Sequence, residues 1–371
     1  MKIINSKRKL SFLVLFGAIL LTISIFSTVT LYSNQDNVKD INSKPINPFE
    51  ITNPKTSDYW ELTEIVEIDG DGDGIAEYNW TTALLEDWCS GYGNSTDPYI
   101  IENVSILVSS ASAGLTIKDS DAYFVLNNVT ITNDAGDGLE LNTISNGIAQ
   151  ECNFNENGNS GIYMNNVNDS AIVFTYCINN TMDGIYVVDS NYNLFMVDCS
   201  GNGRYGLILA SCSENMIVTS QFIDNVEAGL VIVETPEHQD SVNNTVYVNY
   251  FENNGINAVD NSTLPNNWDF EGIGNEWDDY GGVDADDDLI GDTPYDISGT
   301  AGSVDNYPYC DDGAESEIIT LPSDDDDDDE AKEVDIFTII TFAVIFIGVF
   351  LAGIILTKLI TIKPKTKGQR K

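Results

Sequence analysis

Between about residues 100 and 260 the apolar and polar positions follow one recurring phrase: a glycine, an apolar residue, any residue, another apolar residue. It reads Gly114-Leu-Thr-Ile117, Gly138-Leu-Glu-Leu141, Gly161-Ile-Tyr-Met164, Gly184-Ile-Tyr-Val187, Gly206-Leu-Ile-Leu209, Gly229-Leu-Val-Ile232 and, degraded, Gly255-Ile-Asn-Ala258. The glycines are 24, 23, 23, 22, 23 and 26 residues apart. A fixed period of this size is the mark of a solenoid, in which each repeat buries its apolar face only against its neighbours.

Other columns fall into line with the glycines. Seven residues before them stand Leu107, Ile131, Phe154, Cys177, Cys199 and Phe222, an inward column. Four residues before them stand Asn157, Asn180, Asn202 and Asn225. Stacked amides can hydrogen-bond from coil to coil, and asparagine tolerates the backbone angles of a tight bend. The alternation after each glycine has the period of two that a strand shows. A third apolar patch surrounds Val125, Ile172, Phe195 and Ile217. Three short strands per turn predict an all-β fold, a right-handed parallel β-helix over residues 99–260 with about seven coils of 22–24 residues. At about 4.8 Å per coil it would be a rod of roughly 35 Å. A leucine-rich repeat is disfavoured, because Ile, Val and Phe share the core positions and no half-repeat carries a helical period. Neighbouring coils would bring Cys177 and Cys199 within bonding range. Cys152, also of inward parity, favours small buried thiols filling a stack instead.

The flanks change in character. All 59 acidic residues lie between Asp36 and Asp335, accompanied by only six basic ones. Without clustered Lys or Arg, nucleic acid is not an expected partner. The remaining positive charges sit at the two ends beside uncharged apolar runs, Leu10 to Tyr32 and Ile336 to Leu356. Each run is long enough to cross a bilayer, for which about 20 helical residues are needed. The positive-inside rule then places both ends in the cytoplasm and the middle outside the cell membrane. The chain divides into a signal peptide or signal anchor (1–32), a polar linker (33–60), an N-terminal cap (61–98), the β-helix (99–260) and a C-terminal cap (261–310). An acidic stalk (311–335), a transmembrane helix (336–357) and a basic cytoplasmic tail (358–371) complete it. In the N-terminal cap, Trp80, Trp88 and Ala83 to Leu85 suit a short amphipathic helix covering the first coil.

Two acidic loops have cation-binding spacing. Asp69, Asp71 and Asp73, with Gly74 for the sharp bend and Glu77 beyond, turn alternate carboxylates inward as a calcium loop does. The EF-hand pattern is incomplete, since its twelfth position is Trp80. Asp284, Asp286, Asp288 and Asp292, with Gly291, repeat the same logic. Structural calcium is the expected cofactor, and a solvated acidic turn is the alternative at both loops.

The run Gly274-Asn-Glu-Trp-Asp-Asp-Tyr280, then Asp284-Ala-Asp-Asp-Asp-Leu-Ile-Gly-Asp-Thr-Pro-Tyr295 and Asp305-Asn-Tyr-Pro308, resembles the carboxy-terminal signature of NosD-like, pectin-lyase-like β-helix proteins. Asp97-Pro-Tyr-Ile-Ile-Glu-Asn103 resembles their opening strand. The resemblance covers about Trp88 to Tyr309. It implies the solenoid fold, a surface or periplasmic location, and association either with carbohydrate or with maturation of a metalloenzyme.

Catalytic candidates are sparse. The β-helix lyases and epimerases use a basic residue as proton acceptor, and between the caps the only arginine is Arg204. It lies diagonal to Asp183, so an ion pair explains it better. His238, the only histidine, falls in the surplus segment 235–241, and the His-Gly and Arg-x-Lys phrases of polygalacturonase-like enzymes are missing. One histidine also makes a poor copper site. The outward residue of each phrase reads Tyr163, Tyr186, Ile208 and Val231 on four consecutive coils, which is either a flat strip on which sugar rings would stack or a plain aromatic and β-branched sheet face, covered or not by the loop at 235–241. Asn-x-Ser/Thr occurs at Asn79, Asn94, Asn103, Asn128, Asn168, Asn179, Asn243 and Asn261, candidate glycan sites. The sequence therefore points to a membrane-anchored extracellular β-helix that binds carbohydrate or other surface proteins without catalysis. A polysaccharide lyase or epimerase, or an accessory protein for a metalloenzyme, is the alternative.

Overall fold

The computed structural model describes residues 59–311, except 73–75, 77 and 236–240. Both apolar runs, most of the linker, nearly all of the acidic stalk, the basic tail and His238 lie outside these residues. Among the described residues no helix is long and apolar enough to cross a membrane.

The chain winds through two long sheets whose strands pair in parallel from coil to coil. One, the glycine sheet, has nine strands: Val66–Asp69, Leu115–Ser120, Leu139–Ser145, Ile162–Asn168, Ile185–Val188, Tyr205–Ala210, Ala228–Val233, Ala258–Asn261 and Ser298–Gly299. Its register stacks like on like. Ile185 faces both Ile162 and Leu207, and Val187 faces Met164 and Leu209. These first and third residues after each glycine are buried, while the residue between them points out. The glycine itself is needed at a close approach. A Cβ on Gly184 would stand 2.5 Å from the carbonyl oxygen of Gly206 in the next coil.

The second sheet has twelve strands and carries the other two apolar columns. In the early coils the expected second and third strands run together as single strands of 10 residues, Tyr99–Val108 and Phe124–Asn133. Each bends at a left-handed residue, Asn103 or Asn128. In later coils the same path is divided, as in Met216–Val218 and Gln221–Ile223. Two strands precede residue 99 and continue the stack towards the N-terminus: Trp60–Leu62 pairs with Tyr99–Val108, and Val66–Asp69 with Leu115–Ser120.

The inward column of Ile131, Phe154, Cys177, Cys199 and Phe222 is buried as expected, but Leu107 is 63% exposed. The strand register pairs Ile106, not Leu107, with Ile131. The turn between Ile106 and Gly114 holds one residue more than that between Ile131 and Gly138, so counting back seven from Gly114 stops one residue short of the core position. A similar shift occurs at the other end. Leu230 pairs with Ala258, which sets Asn257, not Gly255, beneath Gly229. Asp260 consequently occupies the core-facing place of Ile232 and is buried.

Asn157, Asn180, Asn202 and Asn225 form the expected ladder. The side-chain oxygens of Asn180, Asn202 and Asn225 each accept from the backbone N–H and the amide of the asparagine one coil earlier, at 2.9–3.1 Å. The ladder extends to Asn133 and Asn254. Two further ladders run at other corners: Asn193, Asn215, Asn244 and Asn266, and Asn249 with Asn275. All six cysteines are buried thiols. Burial pushes the Cys152 and Cys212 thiols up to about 12, so both are neutral packing groups.

The ends are sealed by aromatic residues. At the N-terminal end a helix of one turn, Trp80–Ala83, is capped by Asn79. The Trp80 ring stacks on Tyr99 at 4.5 Å and its N–H donates to Ser120. The amphipathic helix expected here ends at that turn, and Leu85 is exposed. At the C-terminal end Phe222, Phe251, Trp277 and Tyr295 continue the inward column as a stack with spacings of 5.1, 4.3 and 4.2 Å.

Replacing Asn202 by Ala removes the acceptor for two donors of Asn180, each buried. The expected cost is about 2–4 kcal/mol, read as a fall in the urea midpoint of the full-length protein. Asn159→Ala, at an exposed turn position, is expected to cost less than about 1 kcal/mol.

Candidate functional site

The outward strip has the predicted register. Tyr163, Tyr186, Ile208 and Val231 pair one above the next, with Glu140 before them and Val259 after. Its two halves differ. Tyr163 and Tyr186 are half-buried with rings stacked at 5.6 Å and 23°. Ile208 and Val231 are each 7% exposed and pack with Ala228, Tyr186 and Tyr205. Two rings, rather than four residues, therefore form the accessible platform. Burial, and then the neighbouring Tyr186 ring and Glu140 carboxylate, pushes the Tyr163 hydroxyl above its ordinary value, so it remains a neutral donor.

Arg204 closes one edge of this platform. Its guanidinium grips the buried Asp183 in a two-pronged contact, Nε to Oδ1 at 2.8 Å and Nη2 to Oδ2. Its Cζ lies 4.9 Å from the Tyr205 ring centre and 5.8 Å from that of Tyr186. Burial lifts the Asp183 carboxyl, with a further push from Glu227, and the hydrogen bond and charge of Arg204 oppose that lift. The bond to Asp183 in turn raises Arg204 above its usual value. A guanidinium held in this way is a fixed cation, and it is unsuited to accept a proton from a sugar.

Glu140 and Tyr205 are site residues that the spacing argument passed over. Both were marked in the sequence. Glu140 is the outward residue of Gly138-Leu-Glu-Leu141, and Tyr205 precedes the glycine of its own coil, where Asp183 precedes Gly184. Burial, then the nearby Asp137 and Glu67, raises the Glu140 carboxyl.

The two acidic loops stand apart from this face in sequence and in arrangement. Asp284, Asp286 and Asp288 offer carboxylate oxygens within 4.8 Å of one another. Asp288 lifts the exposed Asp286 carboxyl, as does Asp284. Asp284 is buried and accepts from the Asp288 and Leu289 N–H groups at 3.1 and 2.6 Å. Asp292 is bound to the same turn through the N–H of Ala285 at 3.1 Å, but does not join the three. In the first loop Asp69 is buried and accepts from Gly72 N–H, and Asp71 is exposed, while Asp73 and Glu77 lie outside the described residues. Lys118 reaches Asp69 at 3.7 Å and Glu67 at 2.5 Å, so an ammonium already sits against one carboxylate of that loop.

Of the sequon asparagines, Asn94, Asn179, Asn243 and Asn261 are exposed, and Asn79, Asn103, Asn128 and Asn168 are half-buried. Asn79 is occupied in capping the short helix, and the Asn128 amide donates to Asn103 at 2.8 Å.

A stack of parallel coils with glycine-opened strands and inward aliphatic columns defines a fold class, the right-handed parallel β-helix. Residues 113–271 match the family model described as the right handed beta helix region. The NosD-like signature after residue 271 lies outside that match. Similar solved structures include a periplasmic alginate epimerase, 13% identical with a TM-score of 0.37, covering 53% of this chain and 55% of that one. A pectate lyase is 14% identical with a TM-score of 0.33 and coverage of 55% and 56%. The A-module of a mannuronan C-5 epimerase from Azotobacter vinelandii is 12% identical with a TM-score of 0.24 and coverage of 47% and 63%. The chain spans little more than half the length of these structures. No curated protein matches it.

Arg204→Ala strands a buried carboxylate and is expected to destabilise the protein by about 2–3 kcal/mol. That is below the cost at a fully buried pair, because the arginine side chain keeps 29% of its surface. Adding Asp183→Asn removes the stranded charge and is expected to restore at least half of the loss in thermal unfolding. If the double variant is no more stable than the single one, the pair is not what holds this edge.

Proposed function

We propose that the protein is a membrane-anchored surface module whose β-helix binds carbohydrate at Tyr163 and Tyr186 and performs no chemistry on it. One observation carries the reading: two stacked rings lie on adjacent strands of a parallel sheet, beside an arginine already committed to a buried aspartate. Stacking on aromatic faces is a large apolar contribution that needs no covalent machinery. Arg204, the residue a lyase or epimerase would require, is committed to Asp183 and to two aromatic rings. The anchoring part of the reading rests on the two apolar runs and their basic flanks. The exposed sequons, Asn94, Asn179, Asn243 and Asn261, would carry glycans of the protein's own.

Calcium is proposed as a stiffener of the C-terminal cap through Asp284, Asp286 and Asp288, where the carboxylates already converge. The site at Asp69, Asp71 and Asp73 is the weaker of the two, given the ammonium of Lys118.

Two measurements test this. In a glycan array with the full-length protein, Tyr163→Ala and Tyr186→Ala are each expected to weaken binding by about tenfold, the loss of one stacking contact of roughly 1–1.5 kcal/mol. No binding by the wild-type protein, or binding indifferent to both substitutions, refutes the platform. Chelation of calcium is expected to lower the melting temperature, and Asp286→Asn to abolish that response. A melting temperature blind to chelator returns the loop to a solvated turn.

A further inference from the structure

The charge around the Tyr163 and Tyr186 rings narrows the kind of sugar they accept. Between residues 59 and 311 the chain contains only two lysine or arginine side chains, Lys118 and Arg204, and its one histidine, His238, lies outside the described residues. Both are already neutralised. Lys118 lies on Glu67 and Asp69, and Arg204 on Asp183. Among the described residues no lysine or arginine is therefore left over to receive a carboxylate ligand on the glycine sheet. On the other side of the balance, Glu140 stands directly beside Tyr163 in the register. Asp137 and Asp189 add their fields to that of Glu140 at the Tyr163 ring. The open side of the platform is thus an aromatic face set among carboxylates. Both parts attract positive charge, the rings through their quadrupole and the acids directly.

We infer that this face selects glycans bearing protonated amines, such as deacetylated aminohexose chains, over uronate chains. The inference rests on the carbohydrate-binding reading given above and specifies its ligand class. An amine-bearing hexose would stack its apolar face on Tyr163 or Tyr186 and place its ammonium towards Glu140. A uronate in the same pose would bring its carboxylate against Glu140 with nothing to compensate it. A neutral hexose would gain the stacking alone. The polarity of the site thus opposes the substrates named for the solved alginate and pectate enzymes that share the fold.

The test uses the full-length protein in chelator at about pH 6, where amino sugars carry a proton. Binding of three hexasaccharides is measured by calorimetry: glucosamine, N-acetylglucosamine and galacturonate. The amine chain is expected to bind about tenfold more tightly than the neutral one and the uronate more weakly than either, with the differences shrinking in high salt. Glu140→Gln is expected to reduce the amine-to-neutral ratio about threefold to tenfold. Uronate binding equal to or tighter than amine binding, or a charge preference untouched by Glu140→Gln, overturns the inference. If that binding still depends on Tyr163 and Tyr186, the platform itself survives. Binding by none of the three overturns the platform and the inference together.

Discussion

In a parallel solenoid the backbone ladder sets every residue directly above its counterpart one coil earlier, and that single constraint governs the chain. A misplaced charge has no second partner to turn to, because its neighbours above and below are fixed at the hydrogen-bond spacing of a sheet. Like must therefore stack on like. Ile162, Ile185 and Leu207 form one such column, and Phe222, Phe251 and Trp277 another. Asparagine is the one polar residue that tolerates this rule in a buried corner, since its amide donates upward while its carbonyl accepts from below. The left-handed corners obey the same repetition. Asn166 and Asp189 adopt positive φ one coil apart, as do Asp169 and Tyr192, and Asn179 is followed by Gly201. Asn, Asp and Gly suit such angles, whereas Tyr192 and Phe174 accept them only because the strands on either side hold them.

What could be read from the sequence follows from this repetition, and so do the failures. The glycine phrase and the column of Phe154, Cys177 and Phe222 recur at nearly equal intervals, so counting finds them. Counting fails where a turn gains residues. Ile106 takes the place assigned to Leu107 because one residue was added before Gly114. Asn257 replaces Gly255 because the surplus near residues 235–241 is longer than the glycine spacing implied. The ladder through Asn193, Asn215, Asn244 and Asn266 was less visible, because its intervals of 22, 29 and 22 residues cross that surplus. At the candidate site the line of outward residues was legible, but its division was not. Side-by-side position is a matter of register, whereas the burial of Ile208 and Val231 depends on Ala228 and Tyr205 at their flank.

The same constraint limits where chemistry can reside. A catalytic constellation needs unlike residues brought together, and stacking by identity works against that except at the outer face and the ends. The outer face of the glycine sheet uses its freedom once, by placing Arg204 across a coil step onto Asp183 and between two tyrosines. The result is a rigid, charge-neutral edge beside two open rings.

The three asparagine ladders also share a direction, and that direction explains the acidic C-terminal cap. Every amide donates towards the next coil, so each ladder ends with a donor that has no asparagine beyond it. Asn266 donates to Asp260, Asn275 to Asp305, and Asn257, which receives from Asn254, to Asp278 and Asp279. Carboxylates suit all three ends because they only accept. They also meet the positive end of a row of aligned amide dipoles, as an acid does at the start of a helix. Asp260 is additionally bonded by Ser262 and Ser303, and these contacts overcome the effect of burial and hold its carboxyl below the usual range. Asp305 receives Trp277 and Tyr307 as well, yet burial prevails there and its carboxyl is raised. Asp260, which takes the core-facing place of Ile232 in the register, thus ends one asparagine ladder, and one further strand, Ser298–Gly299, pairs beyond it.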